Sequence, residues 1–368
     1  MKKVICFISL LLCLCCLVSC DIANITRAIK EQWLDLISDT YSSGLAYKLN
    51  DDEKSYSVTG IGLCNDSDVV IPSTHNGLPV TNIAHNAFQE CQKLKSVKIS
   101  DSVTSIGMYA FSYCRSLKTI IISQSVTTIV DSPFEGCTAL ENIKVNKANP
   151  SYSSIDGNLY SKDGTTLIRY AIGKKDTSFI IPDSVTSIEN YAFRNSQFLE
   201  SVEMSDSVTS IGMYAFSWCS SLKSIKLSKS IKEIPNGMFN YCTLLTDVVI
   251  PDSVKSIGGR AFAACKSLAE ITIPYGVTVI NNYTFSNCES LKSVNIPSSV
   301  TKIGGYAFSS CKSLTKIVIP DSVTRIDGFA FQYCSSLKIF CEAKSLSSNW
   351  HPYWKPEEVP VLWGYIGK

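Results

Sequence analysis

The strongest constraint on the fold is a spacing of 23 residues that recurs along most of the chain. Cysteines mark it in two evenly spaced series: Cys91, Cys114 and Cys137, then Cys219, Cys242, Cys265, Cys288, Cys311 and Cys334. A phenylalanine lies three residues before each of these cysteines, and one more unit has Phe193 with Ser196 in the place of the cysteine. The chain therefore contains ten copies of one unit, which is the sequence signature of a repeat array.

Each unit carries two hydrophobic patterns. After the cysteine comes Leu-x-x-Val/Ile-x-Ile, as in Leu268–Ile273, and its alternation predicts a short strand with one buried face. A Pro/Ser-Asp-Ser-Val segment then predicts a turn. Beyond the turn, apolar residues such as Val254, Ile257 and Phe262 are spaced more widely, which predicts a bend and a short helical turn.

A unit of this size cannot bury its own apolar face, whereas stacked neighbours bury a continuous core. The sequence therefore predicts a right-handed leucine-rich-repeat solenoid. We expect it to be β-dominated with short helical turns, and to have about ten 23-residue repeats between an N-terminal and a C-terminal cap.

The repeat also resembles that of a known family. The segment Ile250–Ile271, IPDSVKSIGGRAFAACKSLAEI, is similar to the unit IPDSVTSIGxYAFxxCxSLKSI of the BspA-like, or Treponema-type, leucine-rich repeat proteins. The resemblance covers about residues 56–341. It implies a surface lipoprotein that takes part in adhesion and other interactions. The cysteine precedes the leucine here, so the unit is a variant of the general leucine-rich repeat.

The first twenty residues, MKKVICFISLLLCLCCLVSC, have the layout of a secretory signal, with a basic start, an apolar run and small residues. The segment Leu17–Cys20 resembles the lipobox of bacterial lipoproteins, which implies cleavage after Ser19 and lipidation of Cys20. We expect attachment to the membrane by this lipid anchor only, at the outer membrane or cell surface. The alternative is a plain signal peptide.

The remaining boundaries follow from the repeat. The predicted segments are a signal peptide (1–19), a lipid-anchored linker with a short helix (20–44), an N-terminal β cap (45–80), the repeats (81–341) and a C-terminal cap (342–368). Trp350, Trp354 and Trp363 in the last segment are interpreted as covering the end of the array, because terminal coils need an edge cover. A ligand platform is the alternative for these tryptophans.

One irregularity interrupts the array between Phe134 and Phe193, where about residues 147–180 form an insertion. Asp163-Gly164 lies there between two short alternating runs, which is a strong hairpin signal. Such insertions often lie on a binding face. An insertion with a structural role and no ligand is an equally good interpretation.

The cysteine series admits three interpretations. Zinc sites need clustered thiolates at short spacings, which a 23-residue step lacks. Disulfides between neighbouring coils need side-chain directions that inward-pointing cysteines rarely have, although an extracellular location favours disulfides. We therefore predict that the series is a structural ladder of buried free thiols. Cys64 and Cys341 lie outside it, and we expect them to be the more reactive thiols.

The outward residues of the predicted strands form columns along the array. The column that we take as the candidate binding face is Lys98, Ile121, Lys144, Glu203, Lys226, Val249, Thr272, Asn295 and Val318. Apolar members of a polar surface are suited to anchor a partner. The alternative is a solvated face whose lysines discourage aggregation.

The composition narrows the function further. Without Lys2 and Lys3 of the leader, 32 basic residues remain beside 32 acidic ones, so no basic field exists to attract nucleic acid. His75, His85 and His351 lie in no catalytic or metal-binding pattern, and we expect no enzyme, no metal and no cofactor.

The predicted function is that of a monomeric cell-envelope lipoprotein that binds an extracellular or envelope protein or glycan. Adhesion to host or neighbouring-cell macromolecules is the expected role. The alternative is an envelope scaffold or carbohydrate-binding lipoprotein with no adhesive role.

Overall fold

The structure is a computed structural model that describes residues 41–366. The predicted signal peptide, the lipidation at Cys20 and the helix in the following linker lie outside these residues. Within them the chain forms a parallel β-solenoid of about thirteen turns, with repeats about 23 residues apart. This part of the chain contains no helix, and so none that could span a membrane.

The strands are numbered in chain order. The N-terminal segment contains β1 (Ala46–Leu49), β2 (Tyr56–Gly60), β3 (Asp68–Val70), β4 (Thr74–His75) and β5 (Leu78–Ile83). The first repeats contain β6 (Ser96–Lys98), β7 (Ser105–Ile106), β8 (Thr119–Ile122), β9 (Thr128–Ile129) and β10 (Asn142–Val145). The insertion contains β11 (Tyr152–Ile155), β12 (Asn158–Ser161) and β13 (Thr166–Arg169).

The longer second run of repeats follows the insertion. It contains β14 (Ser178–Ile180), β15 (Ser187–Ile188), β16 (Ser201–Glu203), β17 (Ser210–Ile211), β18 (Ser224–Lys226), β19 (Glu233–Ile234), β20 (Asp247–Val248), β21 (Ser256–Ile257), β22 (Glu270–Thr272), β23 (Val279–Ile280), β24 (Ser293–Asn295), β25 (Lys302–Ile303), β26 (Lys316–Ile319), β27 (Arg325–Ile326) and β28 (Lys338–Cys341). The last strand is β29 (Val361–Trp363).

The strands of each coil belong to two separate parallel ladders. The main ladder holds the strand after each Leu-x-x, which is β3, β6, β8 and β10 before the insertion and the even-numbered strands from β14 to β28 with β29 after it. The second ladder holds the short strands that follow the turn, namely β5, β7 and β9, then β13 of the insertion and the odd-numbered strands from β15 to β27. Alternating side chains on both ladders point inward, so each coil adds one apolar layer to the core.

Phenylalanines form the centre of the core. Neighbouring rings stack along the array, with centroids 5.2 Å apart for Phe88 and Phe111 and 4.6 Å apart for Phe193 and Phe216. The buried residues fall into two clusters, one ending at Leu159 and the other beginning at Tyr160. The insertion therefore divides the core as well as the sequence.

The insertion consists of two successive hairpins. Strands β11 and β12 pair antiparallel, and so do β12 and β13. β13 then pairs parallel with β15, so the chain returns to the array through the second ladder. Tyr170 follows and stacks on Phe193 with centroids 5.2 Å apart, in the place that a phenylalanine occupies in other coils.

The prediction of a short helical turn in each repeat is wrong. Tyr109 and Tyr113 both have positive φ, at 54° and 57°, and the same two positions repeat this in other coils. Left-handed residues four apart stop a helix. The N–H of Phe111 also bonds the carbonyl of Pro133 in the next coil instead of its own segment.

The predicted repeat count is slightly low. The main ladder has thirteen strands among the described residues, against ten units read from the phenylalanines. The three additional strands are β3, β14 and β29, whose coils lack the Phe-x-x-Cys pattern. Two of them are at the ends of the array and one is at the insertion, where the chain forms the strand without the repeat sequence.

Candidate functional site

The outward column of the main ladder is assembled by strand register. Lys98 lies beside Ile121 and Ile121 beside Lys144, while Glu203 lies beside Lys226. Further along, Thr272 and Asn295 are also direct neighbours, and Val249 and Val318 lie at the same position of their own coils.

The insertion divides this column. Lys144 and Glu203 follow each other in the column read from the sequence, but β14 lies between their strands, and Ile180 is the direct neighbour of Glu203. Sequence reasoning missed Ile180 because its coil lacks the phenylalanine and cysteine that identified the others. The signal was present, since FIIP at 179–182 ends like the VVIP and IVIP of other repeats.

A groove of about 980 Å³ lies over the strands that follow the insertion. It runs along the outward residues of β14, β16, β18 and β20 and along the turns that follow them. Three residues of the predicted column line it: Glu203, Lys226 and Val249. The groove brings these together, whereas the other six column residues lie outside it.

Two apolar side chains mark the two ends of the strand set under the groove. Ile180 is 71% exposed on β14, and Val249 is 75% exposed beyond β20. Between them lie hydroxyl groups and charges. These two exposed aliphatic side chains give the polar groove apolar area that a protein partner can bury.

The charge of the groove is acidic on balance. Its acidic residues are Glu203, Asp206, Asp247 and Asp252, and its basic residues are Lys226 and Lys229. The ammonium of Lys226 pairs with the carboxylate of Glu203, and this hydrogen bond raises the pKa of Lys226. Asp206 accepts a hydrogen bond of 2.8 Å from the N–H of Lys229, which orders the turn at the groove edge.

The cysteine ladder lies inside the coils, and Cys91 alone among its nine members is partly exposed. In eight described cases the thiol donates to the carbonyl of the phenylalanine one coil earlier, with sulfur–oxygen distances from 2.9 to 3.3 Å. The hydroxyl of Ser196 is buried at the equivalent position and has no hydrogen-bond partner. A cysteine therefore fits this position through hydrogen bonding as well as size.

The expectation that Cys64 and Cys341 are the reactive thiols does not fit their positions. Both are buried, and burial raises the pKa of the Cys341 thiol to about 12. Cys341 is the last residue of β28 and packs in the core, because the main ladder extends to the end of the array. Cys91 is the most accessible thiol of the described residues.

The histidines of the array have structural contacts. His85 Nδ1 accepts a 2.8 Å hydrogen bond from the N–H of Met108, and His351 Nδ1 accepts one of 3.1 Å from the N–H of Tyr353. Residues 41–366 contain no group of three or more histidine, cysteine or acidic side chains arranged to hold a metal ion.

The family model described as BspA type leucine rich repeat region matches this chain with six copies, over residues 63–175, 170–288 and 255–348. The matched ranges together run through both parts of the array and the insertion. No curated protein matches the chain.

Several solved structures are similar to this chain. A leucine-rich repeat protein from Eubacterium ventriosum is 26% identical, with 75% of this chain and 95% of that one covered and a TM-score of 0.52. The pneumococcal vaccine antigen PcpA is 21% identical, with 85% and 83% covered and a TM-score of 0.54. A leucine rich cell surface protein from Faecalibacterium prausnitzii is 27% identical, with 70% and 94% covered and a TM-score of 0.45. The first two support the same fold.

Proposed function

Because the chain belongs to the BspA-type leucine-rich repeat family, we propose that it is a lipid-anchored surface protein that binds a protein partner along its main ladder. The signal-like leader and the lipobox-like segment ending at Cys20 support the anchor and an outer-membrane or cell-surface location. Adhesion to host or neighbouring-cell macromolecules is the proposed role. The protein acts as a monomer.

The observation that carries this proposal is the groove over β14 to β20. It is long and open, it combines the exposed Ile180 and Val249 with an acidic balance, and its residues repeat by coil. A periodic surface suits an extended polypeptide better than a metabolite, and repetition is not the sign of a unique catalytic constellation. The proposed partner therefore presents a basic segment with apolar residues, and the protein has no catalytic activity of its own.

The test compares the purified protein with the double variant Ile180→Asp/Val249→Asp for binding to immobilised extracellular matrix proteins and to envelope glycans. We expect the wild type to bind a matrix protein and the variant to bind it at least ~10-fold more weakly, because both anchors would carry charge. Leu346→Asp is the matched control, since Leu346 is an exposed apolar residue outside the groove, and it should bind like the wild type.

Two results would contradict this proposal. Equal binding by wild type and double variant would show that the groove is not the contact surface. Binding to envelope glycans but not to any matrix protein would favour the alternative of a carbohydrate-binding envelope scaffold.

A further inference from the structure

A second cavity, of about 340 Å³, opens at the insertion and shares no lining residue with the groove. It lies between β9, the last second-ladder strand before the insertion, and β13 and the segment after β15. Tyr152 lies at the same repeat position as Ile129 and Ile106, one and two coils earlier. Its hydroxyl accepts a 3.0 Å hydrogen bond from the N–H of Ile129, so a side chain takes the place of the next strand at this edge.

A missing aromatic ring contributes to the open space. Tyr109 and Tyr191 occupy one repeat position on coils on either side of the insertion, and both have positive φ. Ser132 occupies that position in the coil between them and has the same positive φ. Because the serine side chain is small, the space that a tyrosine ring fills elsewhere is part of the cavity, which both Ser132 and Tyr191 line.

Arg169 forms part of the cavity wall, although its side chain is almost entirely buried, with 5% of the residue exposed. Its Nη1 donates to the carbonyl of Tyr191 at 2.5 Å and its Nη2 to that of Phe134 at 3.3 Å. The carbonyl of Phe134 is the one that a ladder cysteine would meet in a regular coil. The Nε–H of Arg169 has no hydrogen-bond partner, which is unusual for a buried polar group.

The charge behind the cavity is also unbalanced. Arg194 pairs with the buried Glu135 at 3.1 Å, whereas among the described residues Arg169 forms no salt bridge and Glu135 acts on it only through its charge. The cluster of these three residues therefore carries one formal positive charge in excess. A buried charge without a countercharge is costly, so this site favours an anionic group. Burial accordingly lowers the pKa of Arg169.

The rim of the cavity has the opposite sign. Asp131 and Glu189 line it, and both are exposed at its mouth. The cavity therefore has a buried guanidinium group in its wall and two carboxylates at its opening. A ligand that matches this distribution has a carboxylate at one end and an ammonium at the other.

We propose that this cavity binds a small zwitterion of the size of a free amino acid or a dipeptide. Its carboxylate accepts hydrogen bonds from the guanidinium of Arg169, and its ammonium pairs with Asp131 and Glu189. The volume is at the lower end of that of ligand pockets, which fits a molecule of this size and excludes a folded partner. The site is independent of the groove and of the partner proposed for it.

The experiment is isothermal titration calorimetry of the full-length protein with L-alanyl-L-alanine, its N-acetyl derivative and its C-terminal amide. We expect the unmodified dipeptide to bind, and each blocked form to bind at least ~10-fold more weakly because it lacks one of the two charges. Free L-alanine tests whether the cavity also binds a single amino acid. No heat of binding from any of these zwitterions at millimolar concentration, or equal binding by the blocked forms, would overturn the proposal.

Two variants keep the test independent of folding. Glu189→Gln changes only an exposed rim residue and should weaken the dipeptide several-fold while leaving the N-acetyl form unaffected. Arg169→Lys keeps the positive charge but removes the planar guanidinium with its paired N–H donors. It should reduce the affinity for the free dipeptide more than the affinity for the C-terminal amide. An unchanged dipeptide affinity in Glu189→Gln would contradict the assigned orientation. Neither variant alters the groove, so failure here is distinguishable from failure of the proposed function.

Discussion

The residue that recurs most regularly, the ladder cysteine, combines two properties. It is small enough for the interior, and its S–H reaches the phenylalanine carbonyl of the preceding coil, for example at 3.1 Å between Cys242 and Phe216. That carbonyl already accepts the N–H of Cys219 in its own coil at 3.2 Å, so the thiol gives it a second donor. Where the insertion removes the cysteine, a guanidinium nitrogen of Arg169 meets the carbonyl of Phe134 instead. A donor is common at this position but not required, since the buried hydroxyl of Ser196 has no hydrogen-bond partner.

The reactivity of the thiols follows from this burial. Burial raises the pKa of Cys288 from 9.0 to about 12, and those of Cys219 and Cys137 to similar values. In a chain without residues 1–20, we expect a disulfide reagent at pH 8 to modify Cys91 first and the rest slowly. All eleven cysteines should react in guanidinium chloride.

The control for this titration is Cys91→Ser, which should remove the fast phase. Rapid modification of several native thiols would contradict the buried ladder, and fewer than eleven reactive thiols in denaturant would indicate disulfides. The same pKa shifts predict that stability is complete below pH 9 and falls as the pH rises above it. The unfolded chain then loses thiol protons that the folded chain retains.

At the scale of elements, each coil depends on its neighbours for both its core and its backbone hydrogen bonds. Alternate N–H groups in and before the Phe-x-x-Cys segment bond forward to the next coil, so those of the final coil need another partner. The C-terminal segment supplies it: the N–H of Phe329 bonds the carbonyl of Tyr353, and that of Phe331 bonds the carbonyl of Trp354. Trp354 also packs edge-on against Phe331, with centroids 5.9 Å apart.

Truncating Trp354 tests the interpretation that the C-terminal segment caps the array. We expect Trp354→Ala to lower the free energy of unfolding by about 3–5 kcal/mol, because it opens a cavity against Phe331 and Trp350. Urea denaturation followed by circular dichroism measures the change. Tyr353→Ala is the adjacent control, since Tyr353 is exposed, and it should cost about 1 kcal/mol or less. Similar losses for both variants would argue against a specific role of the buried tryptophan.

At the scale of the whole molecule, the two runs of repeats differ in what they offer. The groove lies entirely after the insertion, and the small cavity lies at the insertion itself. The described residues have no helix that could span a membrane. The proposed attachment uses the leader and Cys20.

The proposed lipid anchor at Cys20 predicts how the complete protein partitions when its host cells are extracted with detergent. The wild type should partition into the detergent phase on Triton X-114 extraction, and Cys20→Ala should appear uncleaved or in the aqueous phase, because it lacks the thiol that a thioether-linked lipid requires. Cys16→Ala is the matched control and should behave like the wild type. Recovery of both the wild type and Cys20→Ala as cleaved protein in the aqueous phase would leave a plain signal peptide as the explanation of the leader.

The sequence by itself determined the solenoid and which side chains point inward. Both follow from local periodicity: a 23-residue step repeated ten times places Phe111 and its counterparts at one position of every coil. The same reasoning correctly placed Glu203 beside Lys226 on the outward column. It failed for the helical turn, because the positive φ of Tyr109 and Tyr113 depends on hydrogen bonds between coils that hydrophobic spacing does not reveal.

Only the tertiary structure decided what happens at the insertion. The sequence does place Ile180 and Tyr170 23 residues before Glu203 and Phe193, but their coil lacks the Phe-x-x-Cys pattern, so sequence reasoning did not identify it. The sequence could not show that Arg169 reaches the carbonyl of Phe134 and borders a cavity. A repeat specifies contacts one coil away, because each copy meets the same neighbours. A unique segment makes contacts that occur in no other copy, so they become visible only when the chain is folded.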